Sequence, residues 1–417
     1  MNKLISNRPC DTPAAGRHTA LLHLLVTPLP ALLVAAVLAA VLTACGGGVG
    51  SGGTGSYVSG PVTGFGSVIV NGVRFDDSTA AVEDADGARR SRDDLRLGMT
   101  VEIESSAIAS SGSGPAATAS RIRFEAELSG PVGLVDTAGG AFTLLGQRVT
   151  VDATTVFDDG LAGGLAALAI GRTVAVHGAW DPAAERYRAT RVEVASAAAP
   201  LRLRGLLTAV DSTAQTLRIG ATSYGYAGAS GVPAGLAAGQ VVRLRLAAAT
   251  APPRWVVQAF GEALRALPDG EEAKLKGLVT GLVPVQGGAA LTGLRVNGQP
   301  VDLATAQIPD GRAALVLGAR VEAEGRVQGG QLRATLVTVR SDRQEEERGF
   351  EINGVILAVD TGAGTLRVRD LTISTRRPDL RIDDGTLADL RAGRQVEVQG
   401  VLGNDRRTVE AKRIRLR

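Results

Sequence analysis

The heptapeptide LRLGMTV, residues 95–101, is one of five copies of a Leu-x-x-Gly-x-x-Val pattern that recurs along the chain. The glycines lie 73, 68, 79 and 75 residues apart, and this near-constant period indicates tandem repetition of one structural unit. We expect each Leu-x-x-Gly to form one helical turn, with the Leu in a core and the Gly in a left-handed conformation that releases the chain into a strand. The pattern residues are Leu95, Gly98, Val101, Leu168, Gly171, Val174, Leu236, Gly239, Val242, Leu315, Gly318, Val321, Leu390, Gly393 and Val396.

Around each copy, apolar and polar residues alternate over short stretches that are bounded by Gly, Asn and Asp. This alternation is typical of half-buried antiparallel strands. Asn71-Gly72 and Asn297-Gly298 are strong β-hairpin signals, since both residues tolerate a positive φ. About 70 residues with five or six short strands favour a small closed barrel, of the OB or SH3-like kind, because closure removes exposed strand edges. The predicted fold class is therefore all-β, with five tandem small barrels.

The repeat period predicts the domain boundaries. We expect five barrels, with short connectors between them and limited contact between neighbours. The charged run Ser341–Arg348 is interpreted as a solvated linker, and Ser105–Thr118 as a mobile loop. The predicted segments are a signal peptide at 1–44, a tether at 45–58, and barrels at 59–127, 128–199, 200–262, 273–341 and 348–417.

The N-terminus has the pattern of an export signal. Basic residues precede an apolar stretch, 21–42, which ends in Leu42-Thr43-Ala44-Cys45 and a run of glycines. The alternative for this stretch is a retained transmembrane helix. The tetrad resembles the lipobox of bacterial lipoproteins. That resemblance implies cleavage between Ala44 and Cys45, a lipid on Cys45 and, because Gly46 follows, a lipid-anchored position at the outer membrane.

Cleavage at this site changes the charge balance. The full chain has 45 basic and 42 acidic residues, for a net charge of +3, and removing residues 1–44 leaves 42 basic and 41 acidic residues. A nearly neutral, exported chain with 3% aromatic residues argues against nucleic acid as a partner. Cys10 lies in the leader and Cys45 would carry the lipid, so we expect the mature chain to have no free thiol and no internal disulfide.

The repeats themselves resemble a known type of domain. The opening GPVTGFGSVIVNGVRFD, residues 60–76, and the Leu-x-x-Gly-x-x-Val pattern are similar to an uncharacterised "domain of unknown function" family. That family occurs as tandem units of about 70 residues in Gram-negative lipoproteins. The first unit looks like the closest match and the third like the most degenerate. The resemblance implies no catalytic residue and no ligand.

Few residues offer chemistry. His177 is the only histidine after Cys45, and we interpret it as a lone surface residue. The acidic pairs Asp76-Asp77, Asp158-Asp159 and Asp383-Asp384, together with Asp310, suit turns better than calcium sites, because no loop has alternating acids that would supply six ligands.

We therefore predict no cofactor, no metal and no catalytic residue. The expected function is that of a non-enzymatic structural or interaction array in the envelope. Its expected partners are the membrane, through the lipid, and an unknown envelope protein or polysaccharide. A multivalent binder of glycan or another envelope polymer is the alternative, and an envelope hydrolase ranks third.

Overall fold

The computed structural model describes residues 55–111, 114–288 and 290–417. The predicted leader, Ala44, Cys45 and nearly all of the tether lie outside these residues. In the described part of the chain, no helix is long and apolar enough to cross a bilayer.

The described chain is built almost entirely of short strands, which form five successive barrels. Barrel 1 contains β1 (Ser56–Phe65), β2 (Val68–Val70), β3 (Val73–Asp76), β4 (Ala81–Asp84), β5 (Arg89–Arg90), β6 (Thr100–Ser105), β7 (Ala109–Ser111) and β8 (Gly114–Phe124). Barrel 2 contains β9 (Leu128–Asp136), β10 (Ala141–Leu144), β11 (Gln147–Thr150), β12 (Val156–Phe157), β13 (Thr173–Asp181) and β14 (Arg186–Val194). Barrel 3 contains β15 (Leu201–Asp211), β16 (Thr216–Ile219), β17 (Thr222–Gly225), β18 (Val241–Ala248) and β19 (Trp255–Gly261).

The last two barrels follow the same plan. Barrel 4 contains β20 (Glu272–Pro284), β21 (Leu291–Val296), β22 (Gln299–Asp302), β23 (Arg320–Gln328) and β24 (Gln331–Arg340). Barrel 5 contains β25 (Phe350–Asp360), β26 (Thr365–Val368), β27 (Leu371–Ser374), β28 (Arg381–Asp383), β29 (Gln395–Leu402) and β30 (Val409–Leu416). Helix α1 (Asp342–Arg348) connects them, and single 3-10 turns lie at Arg92–Asp94, Asp159–Leu161, Gly164–Ala167, Arg312–Ala314 and Leu387–Asp389.

Five strands close each barrel in one order. In barrel 4, β20 pairs antiparallel with β21 and with β23, and β22 pairs antiparallel with β21 and parallel with β24. The antiparallel pair β23–β24 completes the ring. The other four barrels repeat these pairings with their own strands. The expectation of an all-β protein made of small OB-like barrels is therefore confirmed.

The cores of the barrels merge, contrary to the expectation of limited contact. One buried apolar cluster runs through barrels 1 and 5, and a second runs through barrels 2 and 3. Barrel 4 has a third cluster, which also contains Tyr57 from the start of β1. A unit of about 70 residues buries only about 60% of its unfolded surface and is marginal alone, so a shared core stabilises both members of a pair.

Strand β1 joins three barrels. Its residues Ser56–Ser59 pair in parallel with Glu272–Leu275 of barrel 4, and Gly64 and Phe65 pair in parallel with β25 of barrel 5. Ser56, Tyr57 and Val58 are buried, although the sequence assigned them to a flexible tether. The tether prediction is wrong at these three residues because β6 on one side and β20 on the other pair with their backbone.

Three local predictions also need correction. The charged run after barrel 4 is an α-helix rather than an irregular linker, with Ser341 and Gln344 forming a reciprocal capping box. Part of the predicted mobile loop 105–118 is the antiparallel pair β7–β8. The helical turn of the repeat ends just before the Leu in four barrels, so the Leu caps the turn instead of starting it.

Candidate functional site

The repeat residues occupy equivalent structural positions in all five barrels. Four of the leucines and all five valines are buried, and Leu236 is half-buried. As predicted, every glycine of the pattern is left-handed, with φ between +76° and +86°. The Asn-Gly hairpins at 71–72 and 297–298 likewise have positive φ at both residues. The pattern is therefore a structural element of the barrel.

Each pattern glycine anchors its turn to the first strand of its own barrel. Gly98 N donates to Val62 O at 2.9 Å, and Val62 N donates to Met99 O at 2.8 Å. The same reciprocal pair links Gly171 to Val132, Gly239 to Leu207, Gly318 to Val279 and Gly393 to Ile356. The first strand has a register shift directly after this contact in every barrel. The bulge bends the strand and lets a small sheet close.

Two of these turns also dock on barrel 2. A Cβ on Gly98 would lie 2.4 Å from Thr190 O, and the Thr190 hydroxyl donates to Gly98 O at 2.6 Å. A Cβ on Gly318 would lie 2.4 Å from an Asp181 carboxylate oxygen. At Gly171, Gly239 and Gly393, by contrast, a Cβ would meet nothing within 4 Å. The three turns of barrels 2, 3 and 5 are therefore open to an outside partner.

His177 lies at the junction of barrels 1 and 2, and the prediction of a surface histidine is wrong. Its side chain is 1% exposed. Thr100 N, at the start of β6, donates to Nδ1 at 3.4 Å, and Nε2 lies 3.5 Å from Glu193 Oε1. The sequence could not show this burial because it comes from the neighbouring barrel.

The carboxylates around this junction have opposite pKa shifts. Burial alone raises the pKa of Glu193, but contacts with His177 and Arg191 outweigh it and lower the pKa from 4.5 to about 2. Burial dominates at Glu127 and raises its pKa, although Arg204 lies 2.9 Å away and opposes the shift. A buried ion pair persists only where each charge has close partners. Glu193, His177 and Arg191 all belong to barrel 2, so their contacts lie within one barrel. The Glu127–Arg204 pair, by contrast, links the end of barrel 1 to barrel 3.

The acidic pairs serve turns and ion pairs. Asp76 accepts from Ser78 N at 3.0 Å, and Asp158 accepts from Gly160 N at 2.7 Å. Asp310 accepts from Val339 N at 2.9 Å. Asp159 pairs with Arg407 of barrel 5, and Asp383 pairs with Arg413. Among the described residues, no group of three or more His, Cys, Asp or Glu side chains could hold a metal ion.

A cavity of about 280 Å³ opens where barrels 1, 2, 4 and 5 meet helix α1. Pro61, Val62 and Phe350 give it apolar walls, and charged groups such as Lys412 and Glu345 lie at its edge. Glu345 forms an ion pair with the buried Lys276, which fixes the helix beside the cavity. The volume is near the lower end of small-molecule sites, which span about 300–1,000 Å³. Sequence analysis missed this cavity because its walls come from units far apart in the chain.

Comparison with known proteins identifies the repeats. The model of the family described as "Domain of unknown function (DUF5666)" matches residues 129–193, 276–338 and 353–415, which lie in barrels 2, 4 and 5. The expectation that the first unit matches best is wrong.

Other comparisons add little. No curated protein matches the chain. Among solved structures, the chain is similar to the one named "drosophila Unr CSD456", with 14% identity over 52% of this chain and 99% of that chain. The TM-score of that match is 0.15, so the fold assignment rests on the strand pairings. Together, the family matches and the strand order establish that this chain contains tandem DUF5666 repeats that form small β-barrels.

Proposed function

We propose that this protein is an exported envelope protein, anchored at the outer membrane by a lipid on Cys45, and that it acts as a non-enzymatic interaction scaffold. One observation carries the proposal. The features repeated in all five barrels are core residues and backbone contacts, whereas no polar constellation is repeated. Repetition of core residues and backbone contacts repeats a shape, and a repeated shape suits binding or spacing.

The polar groups support the same conclusion. Charged side chains join barrels, as in the pairs Arg74–Glu351 at 2.5 Å and Arg96–Asp370 at 3.0 Å. Arg188 pairs with Asp342 of helix α1 at 3.0 Å. A catalytic base needs a nucleophile or substrate proton within hydrogen-bond reach, and His177 is enclosed by two barrels instead.

The open turns mark the surface where a partner would bind. Ile170 lies beside Gly171 and is 71% exposed, whereas the equivalent Leu97 of barrel 1 is 1% exposed. A photo-crosslinking amino acid at position 170 or 392 in living cells should capture the same envelope partner. The same probe at position 97 is the matched control and should react only within the chain. Absence of any captured partner at 170 and 392 would contradict the scaffold proposal.

The lipid anchor has its own test. Metabolic labelling with an alkyne fatty acid should mark the wild-type protein and leave Cys45→Ala unlabelled. Equal labelling of both would refute the anchor and leave the interaction role standing. The second candidate, a multivalent binder of glycan, is favoured by the three equivalent open turns, since weak equivalent sites add avidity. A glycan array that retains none of the protein would remove it.

A further inference from the structure

Barrel 3 places four arginines in direct cross-strand contact. In the antiparallel pair β15–β18, Arg202 lies opposite Arg245, and Arg204 lies opposite Arg243. Like charges directly opposite each other destabilise a sheet. Two such pairs in succession therefore need anions nearby to offset the repulsion.

Barrel 1 supplies most of the required anions. Glu127, in the segment leading to β9, forms an ion pair with Arg204 at 2.9 Å, and Glu125 forms one with Arg243. Asp86 forms ion pairs with three of the four arginines: with Arg202, with Arg243 at 2.9 Å and with Arg245 at 3.9 Å. The Arg245 side chain is 52% exposed, and among the described residues this long contact is its only ion pair. These four residues, Arg202, Arg204, Arg243 and Arg245, form the arginine face. Its positive charge is neutralised by close carboxylates around Arg204 and only weakly neutralised around Arg245.

A cavity of about 210 Å³ lies beside Arg245, and Arg202, Arg243 and Arg245 line it. Its floor comes from β19, where Ala259 lies opposite Arg245 and Gly261 lies opposite Arg243. These small residues leave room under the guanidinium groups, and a Cβ on Gly261 would lie 3.3 Å from an Arg243 nitrogen. Three guanidiniums around an open space can bind an oxyanion through several charge-assisted hydrogen bonds.

Asp86 shows how such an anion is held. Its single carboxylate reaches all three guanidinium groups, although it belongs to barrel 1. It lies in the short turn between β4 and β5, where Asp84 accepts from Asp86 N and Ala88 N at 3.0 Å. The carboxylate is 37% exposed, so an anion from solvent can reach the same nitrogens and compete with it.

The charges favour one class of anion. Without Asp86, three arginines and Glu125 leave a local charge of +2. A phosphate monoester carries about −1.5 to −2 near neutral pH, whereas a carboxylate carries −1. We propose that the Arg202–Arg243–Arg245 face binds the phosphate monoester group of a small ligand, in competition with Asp86. This inference goes beyond the scaffold role and needs neither the lipid nor an envelope partner.

Isothermal titration calorimetry on the full chain at low salt tests the site, with glucose 6-phosphate, inorganic phosphate and glucose as probes. Glucose 6-phosphate should bind and glucose should not. Asp86→Asn removes the internal competitor and should tighten binding about tenfold, as expected for one charged hydrogen-bonding group. Arg245→Ala should weaken binding about tenfold for the same reason.

Arg218→Ala is the matched control, because Arg218 is an exposed arginine of the same barrel that lies outside the arginine face. This variant should bind glucose 6-phosphate with the same affinity as the wild type. Arg245 is half exposed, so its replacement leaves the core intact, and an unchanged unfolding midpoint verifies this. The proposal fails if neither the wild type nor Asp86→Asn binds glucose 6-phosphate, or if Arg245→Ala binds it as tightly as the wild type. Binding of inorganic phosphate alone would equally contradict a monoester site.

Discussion

Gly98 and Gly393 have nearly the same backbone conformation, with φ of +79° and +86°, but different surroundings. Gly98 contacts the backbone of Thr190 in the next barrel, whereas Gly393 faces open space. The requirement for glycine at position 393 is therefore conformational only. At position 98 it is also imposed by the close approach of two barrels.

Alanine substitutions separate these two causes. Gly393→Ala should destabilise the protein by about 1–2 kcal/mol, the cost of a left-handed non-glycine residue. Gly98→Ala carries the same cost plus about 1–3 kcal/mol for the clash with Thr190. Equilibrium unfolding in urea measures both changes. Equal losses would mean that barrels 1 and 2 do not touch at this point.

The acid sensitivity of the junction is a second test at this scale. The folded-state pKa of Glu193 is lower than its unfolded value, so its stabilising contribution is present above pH 4.5 and is lost as the pH falls toward 2. A shift from 4.5 to about 2 corresponds to about 3 kcal/mol. The raised pKa of Glu127 acts in the opposite direction, because its protonated form is favoured in the folded state.

Glu193→Gln should therefore reduce the loss of unfolding free energy between pH 5 and pH 3, relative to wild type. Glu127 is present in both proteins and does not affect the difference. Urea titrations at the two pH values provide the comparison. Identical pH dependence in both proteins would show that Glu193 is not stabilised by His177 and Arg191.

Strand β1 pairs with strands of two barrels besides its own. Sequence alternation predicts its central part, and it predicts the hairpins at Asn71-Gly72 and Asn297-Gly298, because those signals are local. It cannot predict that β1 extends through Ser56–Val58, since these residues adjoin a Gly/Ser-rich run and one of their two partner strands, β20, lies more than 200 residues away. Pairing between distant strands depends on which edges the folded barrels present.

Tyr57 tests the extension of β1. Its ring belongs to the core of barrel 4, so Tyr57→Ala should cost about 3–5 kcal/mol, whereas Tyr57→Phe retains most of the ring contacts and serves as the control. Hydrogen exchange should become faster in residues 272–340 of the Ala variant and stay unchanged in barrel 3. Unchanged exchange in barrel 4 would show that β1 does not pack there.

The whole molecule differs most from the prediction based on sequence. The repeat period correctly indicated small tandem barrels, because the Leu, Gly and Val positions report on packing within one unit. Many contacts between units involve residues outside this pattern, such as His177, Asp86 and Phe65. The aromatic ring of Phe65 lies 4.7 Å below the Arg369 guanidinium of barrel 5. The barrels therefore share cores and pair strands with one another, whereas the sequence predicted independent units on flexible connectors.

Small-angle X-ray scattering on a chain lacking residues 1–54 tests this central claim most directly. A single packed body of residues 55–417 should have a radius of gyration of roughly 21–25 Å, as expected from the size scaling of compact proteins. Its pair-distance distribution should have one maximum. A radius above about 30 Å, well beyond that of a compact chain of this length, would contradict the account.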